Sequence, residues 1–80
     1  MTLLYFGPLR DLTGTGRETL TLDPCTPAAL WRLLVERYPS LQDCRAHVQM
    51  AVDQEIVQFD SDRLIEARSE VALLPPMSGG

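Results

Sequence analysis

Lysine is missing from this 80-residue chain: its seven basic side chains are all arginine, set against eleven carboxylates. The formal net charge of −4 argues against a nucleic-acid binder, because neutralising phosphates takes clustered Lys and Arg. A partner with a basic surface fits better. Histidine occurs once, as His47, and an imidazole with no neighbouring nucleophile or ligand set reads as an ordinary strand or surface residue. Cysteine occurs twice, and Cys25 and Cys44 lie too far apart for a C-x-x-C motif. In a reducing compartment they read as packing residues or idle thiols. Gly14-Thr15-Gly16 lacks the other glycines and the Lys of a phosphate-binding loop, and Asp60 and Asp62 fall in a loop where such residues start turns. No apolar run nears the length of a membrane span, and the opening Met-Thr-Leu-Leu-Tyr-Phe-Gly has no basic segment before it as a signal peptide would. The expectation is a cytoplasmic protein with neither nucleic acid nor membrane as partner, and with no pocket of its own that the sequence defines.

What remains is an ordinary globular composition, 45% hydrophobic and 22% charged, at a length that supports one small domain. Thr2 to Phe6 is a short apolar run closed by Gly7-Pro8 and reads as a first strand. Leu12 to Gly16 carries turn chemistry. Arg17 to Leu22, alternating from Glu18 onward, reads as a second strand in a hairpin with the first. Thr26 can cap a helix with Pro27 at its first position, and Leu30, Leu33, Leu34 and Tyr38 recur at helical spacing, widened by Trp31 and Val35. Pro39 ends that helix. After a polar stretch from Ser40 to Ala46, Val48, Met50 and Val52 share one face of a strand, and Asp53-Gln54 turns the chain into Glu55 to Phe59. A short connection follows, with one helical turn expected around Leu64-Ile65, and Glu70 to Leu74 forms the last strand before Pro75-Pro76 removes further donors.

Strand, strand, helix, strand, strand, strand, with one helix of about residues 27–38 laid over a mixed five-stranded sheet, is the α+β plan of the β-grasp, or ubiquitin-like, domain. The first and last strands are apolar on both faces: Leu3 and Tyr5 alternate with Leu4 and Phe6, and Val71 and Leu73 with Ala72 and Leu74. One helix covers one face. Leu4, Phe6, Ile56 and Leu74 are therefore expected to form an exposed patch, which on a soluble domain marks a partner surface.

The sequence closes on Pro75-Pro76-Met77-Ser78-Gly79-Gly80. With glycine near its average usage, two in succession at a terminus arise by chance in about 0.5% of cases. The prolines favour an extended exit and the glycines have no Cβ, so the division expected is a domain over 1–76 and a slender flexible arm over 77–80 that presents the Gly80 carboxyl group to another protein's active site.

At full length the chain resembles the family of small sulfur-carrier subunits of molybdopterin synthase, within the β-grasp sulfur carriers that include the thiamine-pathway carrier. The resemblance rests on L-L-Y-F-G-P-L-R-D-L-T-G at the start, A-V-D-Q-E-I-V in the middle and E-V-A-L-L-P-P-M-S-G-G at the close. Phe6, Arg10 and Gly14 give the spacing that favours the molybdopterin branch, whereas Asp53 and Leu73-Leu74 stand where the family often has Asn and an aromatic pair. The resemblance implies that Gly80 is adenylated by an ATP- and Mg-using activating enzyme, an adenylyltransferase, and converted to a thiocarboxylate by a persulfide protein. The sulfur then passes to cyclic pyranopterin monophosphate in the large synthase subunit, within a heterotetramer, the chain binding no cofactor itself. It further implies partner contacts through Phe6, Ile56, Leu74, Pro75, Pro76, Met77, Ser78 and Gly79. Such a chain is half of an enzyme and not itself a catalyst. Sulfur carriage for tRNA thiolation or thiamine, and protein modification through Gly80, use the same tail chemistry and stay open at this level. The missing lysine would bar side-chain-linked chains of the protein itself.

Overall fold

The computed structural model describes residues 1–75. Pro76, Met77, Ser78, Gly79 and Gly80, with the boundary expected at 76/77, lie outside the described residues.

The chain runs β1 (Thr2–Tyr5), α1 (Pro8–Thr13), β2 (Arg17–Thr19), α2 (Pro27–Arg37), a 3-10 helix (Pro39–His47), β3 (Gln49–Val52), β4 (Glu55–Val57) and β5 (Glu70–Leu74). The five strands form one sheet in the order β2-β1-β5-β3-β4. β5 pairs parallel with β1 and antiparallel with β3, so the last strand in sequence is the central one in space. This is the mixed five-stranded sheet expected of a β-grasp domain.

Sequence chemistry explains the main elements. The Thr26 hydroxyl accepts the Ala29 N–H at 3.3 Å, and Pro27 occupies the first helical position, where its missing N–H costs nothing. Leu30, Trp31 and Leu34 are buried, each side chain contributing about 1.5–3 kcal/mol. They join Leu3, Tyr5, Met50, Val52, Val71 and Leu73 in one core. Asp53 and Gln54 take φ values of +50° and +72°, the paired positive angles of a two-residue hairpin whose twist suits its strands. The Asp53 carboxylate braces that turn, accepting the Glu70 N–H at 2.9 Å and the Ser69 hydroxyl at 3.0 Å. Those two hydrogen bonds hold its pKa below the usual carboxylate value.

The structure corrects several expectations. The segment after Gly7-Pro8 is a helix before it is a turn: Pro8 starts α1, Leu9 is buried, and Gly14 at φ +79° closes it, its N–H donating to Arg10 O at 2.8 Å. Six residues are too few for an apolar period to show. β2 ends at Thr19, short of the expected Leu22, although Leu20 still pairs with Met1, its N–H donating to Met1 O at 2.8 Å and its O accepting from the Met1 amino group at 2.7 Å, and Leu20 and Leu22 pack against the core. β4 stops at Val57, where a turn closed by Ser61 N–H to Gln58 O carries Phe59 to Trp31. The polar stretch after Pro39 is the 3-10 helix, anchored by buried Leu41. No helical turn forms at Leu64-Ile65. Fully buried Ile65 instead bridges Cys25 through two backbone hydrogen bonds of 3.1 and 2.7 Å.

Candidate docking face and tail root

Alternation along β1 and β5 turns Leu3, Tyr5, Val71 and Leu73 into the core and leaves Leu4, Ala72 and Leu74 half-buried on the other face. The register then aligns Leu4 with Ala72, Ala72 with Ala51, and Ala51 with Ile56. Residues directly opposite share a face, so these four form one apolar stripe across four strands, about 14 Å from end to end. Arg17, opposite Leu4, bounds it at the β2 edge. Small Ala51 and Ala72 make its floor, while Ile56 stands at one end with 53% of its surface exposed.

Phe6 follows β1 and stays 44% exposed, its backbone N–H donating to Leu73 O at 3.2 Å and carrying the β1–β5 pairing one step further. Beyond Leu74 comes half-buried Pro75, which lies against Gly7: a Cβ placed on that glycine would stand 3.2 Å from Pro75 Cγ. Gly7, at φ +58°, turns the chain from β1 into α1 with no side chain in the way. The structure therefore gathers Phe6, Leu74 and Pro75 at one end of the sheet, with Ile56 across the stripe. The remaining expected site residues, Pro76 to Gly80, lie outside the described residues. Sequence reasoning placed Ala72 on the outward face but left it and Ala51 out of the expected patch, and it missed Gly7. Alternation of Ala51 with Met50 and Val52, and of Ala72 with Val71 and Leu73, is the signal that finds the alanines.

The polar cluster of the molecule lies on the opposite layer. Glu18 pairs across from buried Leu3 and so faces the helix side. Its carboxylate accepts the Tyr5 hydroxyl at 2.6 Å, the Tyr38 hydroxyl at 2.5 Å and Arg37 Nη2 at 2.9 Å. Burial pushes the Glu18 pKa up, but the three donors together outweigh it and hold the group below its usual value. Tyr5 is raised, first by its own burial and then by the adjacent carboxylate. Every partner is satisfied, and the cluster ties β1, β2 and the end of α2 together without leaving a reactive group free. His47 is exposed, and both thiols are free, with burial pushing Cys25 upward. Among the described residues no group of three His, Cys, Asp or Glu is placed to hold a metal, and no helix is long and apolar enough to cross a membrane. The chemistry this arrangement offers is docking, with Pro75 at the edge of the docking face.

Comparison with known proteins agrees with that geometry. The model of the ThiS family matches residues 3–80. The molybdopterin synthase sulfur carrier subunit of Homo sapiens is 35% identical over 80 residues, covering 98% of this chain and 91% of that protein. Among solved structures, a protein of Pyrococcus furiosus described as a molybdopterin converting factor, subunit 1, superimposes with a TM-score of 0.81 at 22% identity, covering 95% of each chain. SAMP1 from Haloferax volcanii superimposes at 0.78 and 24% identity, covering 100% of this chain and 98% of its own. At these identities the two structures speak for the fold alone.

Proposed function

The chain belongs to the ThiS family, and from that premise we propose that it is the sulfur carrier of a molybdopterin synthase, donating sulfur from a thiocarboxylate at Gly80. The observation that carries this reading is the junction of an unpartnered apolar stripe with the root of the tail at Phe6, Leu74 and Pro75, in a chain whose family match runs through Gly80.

A carboxylate is a poor electrophile and needs activation. In an ATP-dependent activating enzyme, a Gly80 oxygen attacks the α-phosphorus of ATP and pyrophosphate leaves. The terminal sulfur of a protein persulfide then attacks the acyl adenylate and AMP departs. A thiol cleaves the S–S bond of the resulting acyl disulfide and is itself oxidised to a disulfide, leaving Gly80 as a thiocarboxylate. Like any thiolate that anion is nucleophilic, and inside the large synthase subunit it attacks cyclic pyranopterin monophosphate. Two deliveries build one dithiolene. The carrier contributes the stripe that docks and the atom that reacts. The large subunit contributes the pocket and the charge-stabilising groups.

The test is mass spectrometry of the intact chain after incubation with activating enzyme, ATP and a persulfide source. One oxygen-for-sulfur exchange localised to Gly80 is expected, followed by its loss on addition of large subunit and pterin substrate. No exchange with a competent activating enzyme would sink the proposal, and discharge only to a tRNA-thiolating or thiazole-forming enzyme would reassign the pathway.

A further inference from the structure

On the layer opposite the stripe, α2, the 3-10 helix and the loop after β4 enclose a cleft of about 480 Å³. Its floor is Trp31 and Phe59, packed edge to face with centroids 5.4 Å apart and planes at 79°, and Val35 extends it along the helix. Arg32 and Arg45 stand at its rim, both exposed, with Asp60 also on the lining. Two other arginines of this acidic chain meet carboxylates, Arg37 with Glu18 at 2.9 Å and Arg63 with Glu55 at 3.9 Å. Among the described residues neither Arg32 nor Arg45 has a carboxylate within ion-pair distance. Two guanidinium groups against one carboxylate leave the cleft with an excess of one positive charge on a molecule of net charge −4.

We infer that this cleft docks an acidic segment of a partner protein, with one apolar side chain of that segment seated on Trp31 and Phe59 and flanking carboxylates paired to Arg32 and Arg45. The Arg45 guanidinium sits 3.6 Å from the Phe59 ring centroid. The ring uses the guanidinium face and leaves its N–H edge for a carboxylate, and a side chain already held in place loses less freedom on binding. Charges at an exposed rim suit a segment laid across the cleft better than a small molecule, which needs most of its surface enclosed. Because α2 buries Leu30 and Leu34 against the sheet face opposite the stripe, the occupant binds without displacing whatever covers Leu4, Ala72, Ala51 and Ile56. This goes beyond the sulfur-carrier reading and does not depend on it.

Trp31 is the only tryptophan in the chain, so its fluorescence reports the cleft directly. The intact protein is titrated with acetyl-Glu-Asp-Phe-Leu-Asp-amide and with a basic counterpart, acetyl-Lys-Arg-Phe-Leu-Lys-amide. A saturable change in emission with the acidic peptide is expected, at least tenfold weaker with the basic one and at least tenfold weaker in the Arg32→Glu/Arg45→Glu double variant. If the double variant fails to fold for want of the Phe59 stack, exposed Arg32→Glu alone carries the test with a weakening in the same direction. Amide shifts by NMR should cluster at α2, Arg45 and Phe59. No saturable change, equal response to both peptides, undiminished binding in the variant, or shifts confined to Leu4, Ala72 and Ile56 would overturn the inference.

Discussion

Replacing Phe6 by Asp separates docking from folding. Phe6 keeps 44% of its surface exposed, so folding buries a little over half of a side chain whose full burial contributes about 1.5–3 kcal/mol. Its backbone hydrogen bond to Leu73 O is independent of the side chain and survives. The folding loss is then about 1–1.5 kcal/mol, a fall in Tm of roughly 5–10 °C for a domain of this size. In the complex the same position must bury its remaining apolar surface, and an aspartate would carry an unpaired charge into an apolar interface. An aromatic anchor lost in that way costs about 3 kcal/mol or more, roughly a hundredfold in Kd. Titration calorimetry against the large synthase subunit, with thermal melts by circular dichroism, reads both quantities. Leu64→Asp is the control, because Leu64 is 55% exposed but lies off the stripe, and it should leave Kd within about twofold, as befits a residue outside the interface. The reasoning is refuted if Phe6→Asp costs stability and affinity equally, or if Leu64→Asp weakens binding as much as Phe6→Asp does.

Ile56→Asp, at the other end of the stripe, should weaken the same complex by at least about tenfold while lowering Tm by only a few degrees, read by the same pair of measurements. Glu18→Ala strands the buried Tyr5 hydroxyl and should cost about 1–3 kcal/mol in urea unfolding. Adding Tyr5→Phe should recover part of that loss, and strict additivity would contradict the shared cluster. Since the folded pKa of Glu18 is depressed, its contribution is present above the unfolded carboxyl value and is lost as pH falls through the folded one. The stability gap between wild type and Glu18→Gln should accordingly narrow on acidification below about pH 4.5. Asp53 is depressed too, so the gap to Asp53→Ala should narrow in the same direction, below the ordinary value of 3.8, in melts run as a pH series.

How much of this was legible in the sequence depended on the length over which a pattern repeats. Pro27 to Arg37 spans three turns with a threonine cap and a proline start, and it folds within one residue of the expected boundaries. The final strand was equally clear, since alternation and the prolines bracket it. α1 was not, because six residues show less than two periods, though Pro8 at its start and Gly14 past its end were the available signal. Leu64-Ile65 misled for a related reason: two adjacent apolar residues suit a helical turn or an extended bridge equally, and only the pairing partner Cys25, forty residues away, decides between them. The docking face was predicted through its large members, Leu4, Phe6, Ile56 and Leu74. Alternation put Ala72 on that face and offered the same signal for Ala51, but the alignment of the two alanines into one floor and the Gly7–Pro75 contact went unseen, since these depend on strand register and on non-local packing. The Trp31–Phe59–Arg45 cleft was likewise invisible, built from three elements whose convergence no local period encodes.

A chain of this size covers one side of its sheet and leaves the other open as a candidate docking face. One long helix and a 3-10 segment cover a single side of a five-stranded sheet, and the core they build consumes Leu3, Tyr5, Met50, Val71 and Leu73. The other side of the two middle strands must still be compatible with close pairing, which favours apolar residues over charges there, so the stripe is what remains once one layer has been covered. Its placement relative to the tail follows from topology. β5 is held by β1 on one side and β3 on the other, whereas an edge strand would be paired on one side only. A segment leaving from the central strand starts from backbone paired on both sides, beside Phe6 and Gly7, and any protein that grips the stripe thereby fixes the position of Pro75. If the chain is the sulfur carrier proposed above, docking and delivery of the Gly80 carboxyl group become one geometric problem, met by pairing β5 into the middle of the sheet.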